Sequence, residues 1–182
     1  MNNRFSIRPL NSGDADWIFE ACQDPEIQNW TQIPRPYTRD HAIGFAETLA
    51  GDVEVWVIEN SNAEKPYGVI GVHSIDKVLM TAVIGYWIAP WGRKQGAMKA
   101  GLKLYSEKAS SNPNIAIIKA IIAEENIASR KSVESVGFVL VEGSGDMCNC
   151  GGTEVPAVSY EWRIRAARTL RLESTTPLSP GS

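Results

Sequence analysis

The chain has 182 residues, 43% apolar and 21% charged, a balance that excludes a wholly disordered polypeptide and fits one domain with a tail. A formal net charge of −3 sets it apart from the basic proteins that coat nucleic acid. No run reaches the ~18 apolar residues of a membrane span, so neither nucleic acid nor membrane is an expected partner.

In chain order, Phe5 to Leu10 reads as a first strand. Asp14 is placed to cap a short helix through Cys22, with Trp17, Ile18 and Ala21 on one side, and Asp24-Pro25 is expected to stop it. Gln28 to Tyr37 holds Trp30, Pro34, Pro36 and Tyr37 and reads as an aromatic loop. Thr38 caps a second helix carrying Ala42, Phe45 and Leu49 and ended by Gly51. Val53 to Glu59, Tyr67 to Ile75 and Thr81 to Ile88 are strands with short connections, which predicts an antiparallel meander. Ala89 to Lys94 leads into a helix from Gln95 to Ser110, with an apolar stripe of Met98, Gly101, Leu102, Tyr105 and Ala109. Ile115 to Ile122 is nearly all apolar and reads as a central strand covered on both faces. A short helix from Asn126 to Val136 ends at Gly137, and Phe138 to Glu142 and Val155 to Ile164 are the last strands. Strand-helix-strand order after the meander implies parallel neighbours, so the sheet is mixed. The domain is expected to span residues 1–165, and the Ser-, Thr- and Pro-rich tail, 166–182, to be disordered.

Three cysteines, Cys22, Cys148 and Cys150, and no basic-then-apolar leader at the N-terminus argue against a disulfide framework and for a soluble cytoplasmic protein. Cys148-Asn-Cys150 offers two thiolates where a structural zinc needs about four ligands, so the pair reads as part of a surface hairpin or strand end, and no metal is expected.

Two segments carry chemistry. From Gly85 to Met98 a strand runs through a loop into a helix start, whose unpaired N–H groups and positive dipole end favour an anion. Arg93 and Lys94 add charge, and Gly96 and Ala97 allow close approach. Neither a P-loop nor the dinucleotide fingerprint is present, and the alternative is a basic loop that solvates the helix start. In the second segment, Asn126, Ser129, Val133 and Val136 share one stripe, so two polar residues stand on the inward side of a short helix. Either they meet a ligand, or Asn126 is an N-cap with Ser129 in the first turn.

Gly85-Tyr86-Trp87-Ile88-Ala89-Pro90, then Arg93-x-x-Gly96-x-Met98, Asn126-x-x-Ser129 and Gly137-Phe138, in this order, resemble the GNAT superfamily of acetyl-CoA-dependent N-acetyltransferases. Ile7-Arg8-Pro9-Leu10 and the stretch from Asp24-Pro25-Glu26 to Pro36-Tyr37 are similar to the subgroup that acetylates N-terminal alanine or serine of ribosomal proteins. The resemblance implies an α/β fold, with a mixed, mostly antiparallel central sheet, a splayed parallel strand pair and flanking helices. It implies that acetyl-CoA lies in that splay, against Trp87 and Ile88. Its pyrophosphate would sit on backbone N–H groups of Lys94, Gln95, Gly96, Ala97 and Met98, with Arg93 adding charge, and its arm would meet Asn126 and Ser129. Met98 and Lys99-Ala100-Gly101 depart from the common pattern. Val133 stands where many members carry a tyrosine acid; the subgroup it resembles often has serine at the Ser129 position, and the resemblance implies that Ser129 protonates or hydrogen-bonds the leaving thiolate.

Direct attack of an amine in a ternary complex is the expected route. An α-amino group has a pKa of about 8, so a modest base or a water chain suffices. His73 is a candidate base. Glu124, Glu125, Asp146 and Glu154 are others, and none is singled out. Trp30, Tyr37 and Trp91, with Pro34, are candidates for an acceptor wall, or else pack between helices and sheet; His41 reads as a surface residue. The acceptor is a protein N-terminus or a small amine, with an antibiotic or polyamine as a variant of the latter, and the protein a monomer or homodimer. A domain of this fold that binds acyl-CoA without turnover is the alternative.

Overall fold

The computed structural model describes residues 4–47 and 54–164. The expected Leu49 and Gly51 helix end, the start of the second strand at Val53, and the tail lie outside them. Described are β1 (Phe5–Pro9), α1 (Ala15–Ala21), α2 (Pro25–Trp30), α3 (Arg39–Glu47), β2 (Val55–Asn60), β3 (Gly68–Asp76), β4 (Thr81–Ile88), α4 (Ala97–Ala109), β5 (Ile117–Ala123), α5 (Ile127–Glu134), β6 (Val139–Val141), β7 (Met147–Cys150) and β8 (Thr153–Arg163).

The strands form one sheet in the order β1-β2-β3-β4-β5-β8-β6, with β7 paired to β8. The meander β1 to β4 is antiparallel, and β4 with β5 is the parallel pair that the strand-helix-strand order requires. Helices cover both faces, and period-two alternation sorts the strand side chains between them. Val57, Val69 and Trp87 face α1, α2 and α3, whereas Ile58, Ile70, Val72, Ile84 and Tyr86 face α4 and α5. Each fully buried Ile or Leu of this core contributes about 1.5–3 kcal/mol. Gly101 lies where α4 crosses β2; a Cβ there would stand 2.5 Å from Ile58 Cδ1. Close helix–sheet packing, at some cost in helix propensity, accounts for the glycine.

Two expectations near the N-terminus are corrected. Asn11, not Asp14, supplies the side-chain cap, to a 3-10 turn at Ser12–Asp14 that leads into α1. The Asp14 carboxylate is committed elsewhere: it accepts from Arg8 Nη1 and Nη2, from Trp17 Nε1 and from Asn11 N, and so ties β1 to α1. Burial raises its pKa, but these donors outweigh burial and hold it below the usual carboxylate range. Asp24-Pro25 does not only end a helix; it starts one. Asp24 accepts from Ile27 N at 3.0 Å and Pro25 takes the first helical position of α2, which removes Gln28 to Trp30 from the expected loop. Thr38 caps α3 as read, its Oγ1 accepting from His41 N.

Candidate active site

The site begins where the sheet comes apart. β4 and β5 pair from Thr81↔Ile117 to Ile84↔Ala120 and no further, although both strands continue. Gly85 to Ile88 stay paired with β3 on one side, and Ile121 to Ala123 stay paired with β8 on the other. The facing edges therefore separate, and the β4 backbone borders a gap instead of a neighbour. A cavity of about 1270 Å³ occupies this gap and runs from the α2–α3 side, through the sheet, to the starts of α4 and α5.

At one end, Gly96, Ala97, Met98 and Lys99 line the cavity. The first α4 ladder bond is Ala100 N to Gly96 O, so the N–H groups of the three residues before Ala100 precede the ladder. Lys94 (φ 58°) and Gly96 (φ 78°) take left-handed conformations that turn the chain into the helix. A Cβ on Gly96 would meet nothing within 4 Å, so conformation and not space calls for glycine here. Lys94 and Lys99 are exposed and add positive charge. This end suits a phosphate group.

The side chains of Arg93 and Gln95 are engaged with the protein itself. Arg93 lines the cavity, but its guanidinium holds the Asp24 carboxylate through Nη1 and Nη2. Gln95 Oε1 accepts from Arg4 and from Tyr67 OH, while Nε2 donates to Trp91 O. Its side chain braces the loop and is not part of the cavity lining.

In the middle, Trp87, Ile88, Asn126 and Ser129 line the cavity. Asn126 is the N-cap of α5, accepting from Ser129 N at 3.1 Å, so the cap reading describes its Oδ1. Tyr86 OH lies 2.8 Å from Ser129 Oγ and also donates to Ser129 O at 3.2 Å. Burial, opposed by the Ser129 hydrogen bond, raises the Tyr86 pKa well above its ordinary value and keeps the phenol protonated. Tyr86 was not singled out in the sequence, yet alternation along β4 puts it on the face that meets α5.

Across the cavity, His73 is the extra residue of a bulge in β3, where the register shifts between Val72 and Ser74. The bulge swings its ring over Gly85, so that a Cβ there would stand 2.3 Å from His73 Nε2. Glycine thus makes room for the imidazole. Partial burial in the cavity wall lowers the His73 pKa and so favours the neutral ring.

The other end is walled by Trp30, Ile33, Pro34, Tyr37 and Phe45, and closed by β7. Trp91 is not in this wall. Its indole donates to Pro66 O at 2.8 Å, and Lys65 lies over the ring, so it serves packing. Asp146 is committed to Ser159 Oγ, and Glu124, Glu125 and Glu154 are exposed outside the cavity lining. Glu26, Asp40 and His41 do line it, and sequence reading missed all three in that role. Exposed acids on helices carry no mark in the sequence that separates cleft from surface. Among the described residues no helix is long and apolar enough to cross a membrane, and no cluster of His, Cys, Asp and Glu suits a metal.

A family model described as "Acetyltransferase (GNAT) domain" matches residues 4–139. A relative described as "Uncharacterized N-acetyltransferase YoaA", from Bacillus subtilis (strain 168), is 23% identical over 141 residues, covering 75% of this chain and 80% of the relative. Among solved structures, RimL, a ribosomal L7/L12 alpha-N-protein acetyltransferase in complex with coenzyme A, superposes with a TM-score of 0.75 at 16% identity, covering 89% of this chain and 95% of that one. Spermidine N-acetyltransferase from Vibrio cholerae, in complex with CoA and spermine, gives 0.73 at 19% identity, covering 89% and 96%. At such identities the structural matches speak for the fold, while the family model spans well over half the sequence. The chain belongs to the GNAT acetyltransferase family.

Proposed function

We propose that this protein moves the acetyl group of acetyl-CoA to a primary amine by direct attack within a ternary complex. The observation that carries the reading is the parting of β4 from β5, which opens one continuous cavity to both faces of the sheet. One end offers backbone N–H groups and lysines to a diphosphate. The other offers Trp30 and Phe45 with Glu26 and Asp40, which suits a cationic amine or a peptide N-terminus.

Acetyl-CoA supplies an acyl thioester open to nucleophilic attack. The unpaired β4 edge from Gly85 to Ile88 borders the thioester in this reading and gives it N–H donors as charge develops on oxygen. Neutral His73 accepts the proton that the ammonium must lose, directly or through one water. The new N–C bond forms as the C–S bond breaks; the Tyr86–Ser129 pair gives a proton to the departing sulfur, and the second proton, lost from the new amide nitrogen, restores that pair through water.

Calorimetric titration with CoA and acetyl-CoA, followed by acetyl-CoA consumption with a panel of peptides and polyamines, tests the proposal. Binding of both and turnover with an amine are expected. Absence of binding sinks the reading, and binding without turnover on any amine turns it into the acyl-CoA-binding alternative. Tyr86→Phe is expected to lower kcat by about 10²-fold. Because the His73 pKa is lowered, activity should survive below the ordinary imidazole value of about 6.5 and fall as pH drops through the shifted one. His73→Gln should slow turnover and remove that acid limb.

A further inference from the structure

We propose that Cys148 and Cys150 form an oxidation-sensitive dithiol that closes to a disulfide within β7 and loosens the acceptor wall of the cavity. The second half of this statement rests on the proposed function, and the first does not. The two residues are i and i+2 on one strand, so their side chains leave the same face, and their sulfurs are 3.4 Å apart, in contact. Both are free, half-buried and part of the cavity lining, where a small oxidant has access. Cys22, by contrast, is buried among α1 and its neighbours.

A strand advances about 3.3–3.4 Å per residue, so alternate Cα atoms stand near the upper limit of about 6.8 Å that a disulfide spans. Closure must pucker the strand. β7 suits this, because among the described strands it pairs only with β8, and the left-handed Gly151 (φ 63°) and Gly152 (φ 82°) follow it at once. A bridge made under such strain is readily reduced, which fits a reversible device and not a structural staple.

The chemistry balances with a peroxide as oxidant. The Cys150 thiolate takes one peroxide oxygen to give a sulfenic acid, and the other oxygen leaves as water. The Cys148 sulfur then attacks that sulfenic sulfur, the S–O bond breaks, and a second water leaves with the Cys148 proton. Two thiols are oxidised and one peroxide is reduced. Burial and the neighbouring Cys150 raise the Cys148 thiol, which suits it to the second step, where contact at 3.4 Å replaces collision.

The coupling to the acceptor wall runs through the end of β7. Cys150 Sγ donates to Trp30 O at 3.7 Å, Gly151 N donates to Thr31 O at 3.1 Å, and the Arg35 guanidinium lies against Gly151. A disulfide removes the thiol donor and draws Cys150 toward Cys148, away from α2. Trp30, which lines the cavity, loses its support from β7.

The test treats the full chain with hydrogen peroxide and maps peptides without reduction. The expected product is a peptide containing both cysteines that has lost two hydrogens, restored by dithiothreitol and absent in Cys148→Ser and Cys150→Ser but present in Cys22→Ser. Hydrogen exchange at the Gly151 amide and along α2 should accelerate on oxidation, and the KM for the amine should rise severalfold while CoA affinity holds. Sulfinic acid at Cys150 beside a reduced Cys148 overturns the dithiol. A disulfide that leaves exchange at Gly151 unchanged overturns the coupling. Mass and exchange do not depend on turnover, so failure of the acetyltransferase reading stays distinguishable from failure of this one.

Discussion

The two ends of the cavity are built from different material. The α4 end is mostly backbone: the parting of β4 from β5, two left-handed residues and the first turn of a helix. The α2 end is mostly side chain: Trp30, Ile33, Pro34, Phe45 and a four-residue strand, β7. Backbone geometry tolerates exchange of most side chains, so the proposed diphosphate site at the first end asks little of the particular side chains there. Side-chain geometry changes with each substitution, so the second end is where members of one fold part company in substrate.

The largest expected effect attacks the frame that holds the backbone end open. A Cβ on Gly68 would meet Trp87 O at 2.3 Å and Ile88 Cα at 3.0 Å, both backbone atoms of β4. Gly68→Ala must push β4 away from β3, in the direction of the gap. A loss of about 2–3 kcal/mol is expected in urea unfolding, together with weaker CoA binding in the fraction that folds. Unchanged stability would mean that β4 is held more loosely than its pairing indicates.

Lys99→Glu comes next and sharpens the contrast between the ends. Lys99 is exposed, lines the cavity and stands in the first turn of α4. Reversing its charge opposes the helix dipole's attraction for a diphosphate, and CoA affinity should fall by about tenfold, or about 1.4 kcal/mol. The KM for the amine, measured at saturating acetyl-CoA, should not follow. If both parameters move together, the two ends are not separable.

The same division explains what the sequence disclosed. The meander, the parallel pair and the turn into α4 were legible because they follow from period-two alternation, turn residues and a glycine before a helix. The α2 end was not. Asp24-Pro25 reads equally as a stop and a start until the Ile27 N–H is seen on the Asp24 carboxylate. Trp30 and Trp91 are both tryptophans near aromatic loops, yet one lines the cavity and the other spends its indole N–H on Pro66 O. Arg93 looks like a phosphate ligand until its partner Asp24, far off in sequence, is found. Tyr86 was the recoverable miss, since strand alternation alone puts it on the face of Ser129. Long-range partners decide the rest, and one sequence does not record them.

The smallest effect is expected where the ends are joined, at the Asp24–Arg93 ion pair. Asp24 belongs to α2 and the acceptor side, Arg93 to the loop before α4. Asp24→Asn keeps an oxygen for the Ile27 N–H, so the helix cap survives while the charge is lost. Burial raises the Asp24 pKa, but Arg93 and the Ile27 amide overcome it and the net shift is downward. A depressed folded-state pKa contributes stability above the unfolded carboxylate value of about 3.9, and the contribution is lost as pH falls from there through the lower folded-state value. The variant should therefore be less stable by about 1 kcal/mol at pH 7, with the gap narrowing in acid. Arg93, released, still lines the cavity beside the anion-facing turn. CoA binding should accordingly tighten by a small factor while stability falls. Opposite signs in calorimetric titration and urea unfolding would identify the pair as a strap between the ends, and parallel losses would make Arg93 a plain structural residue.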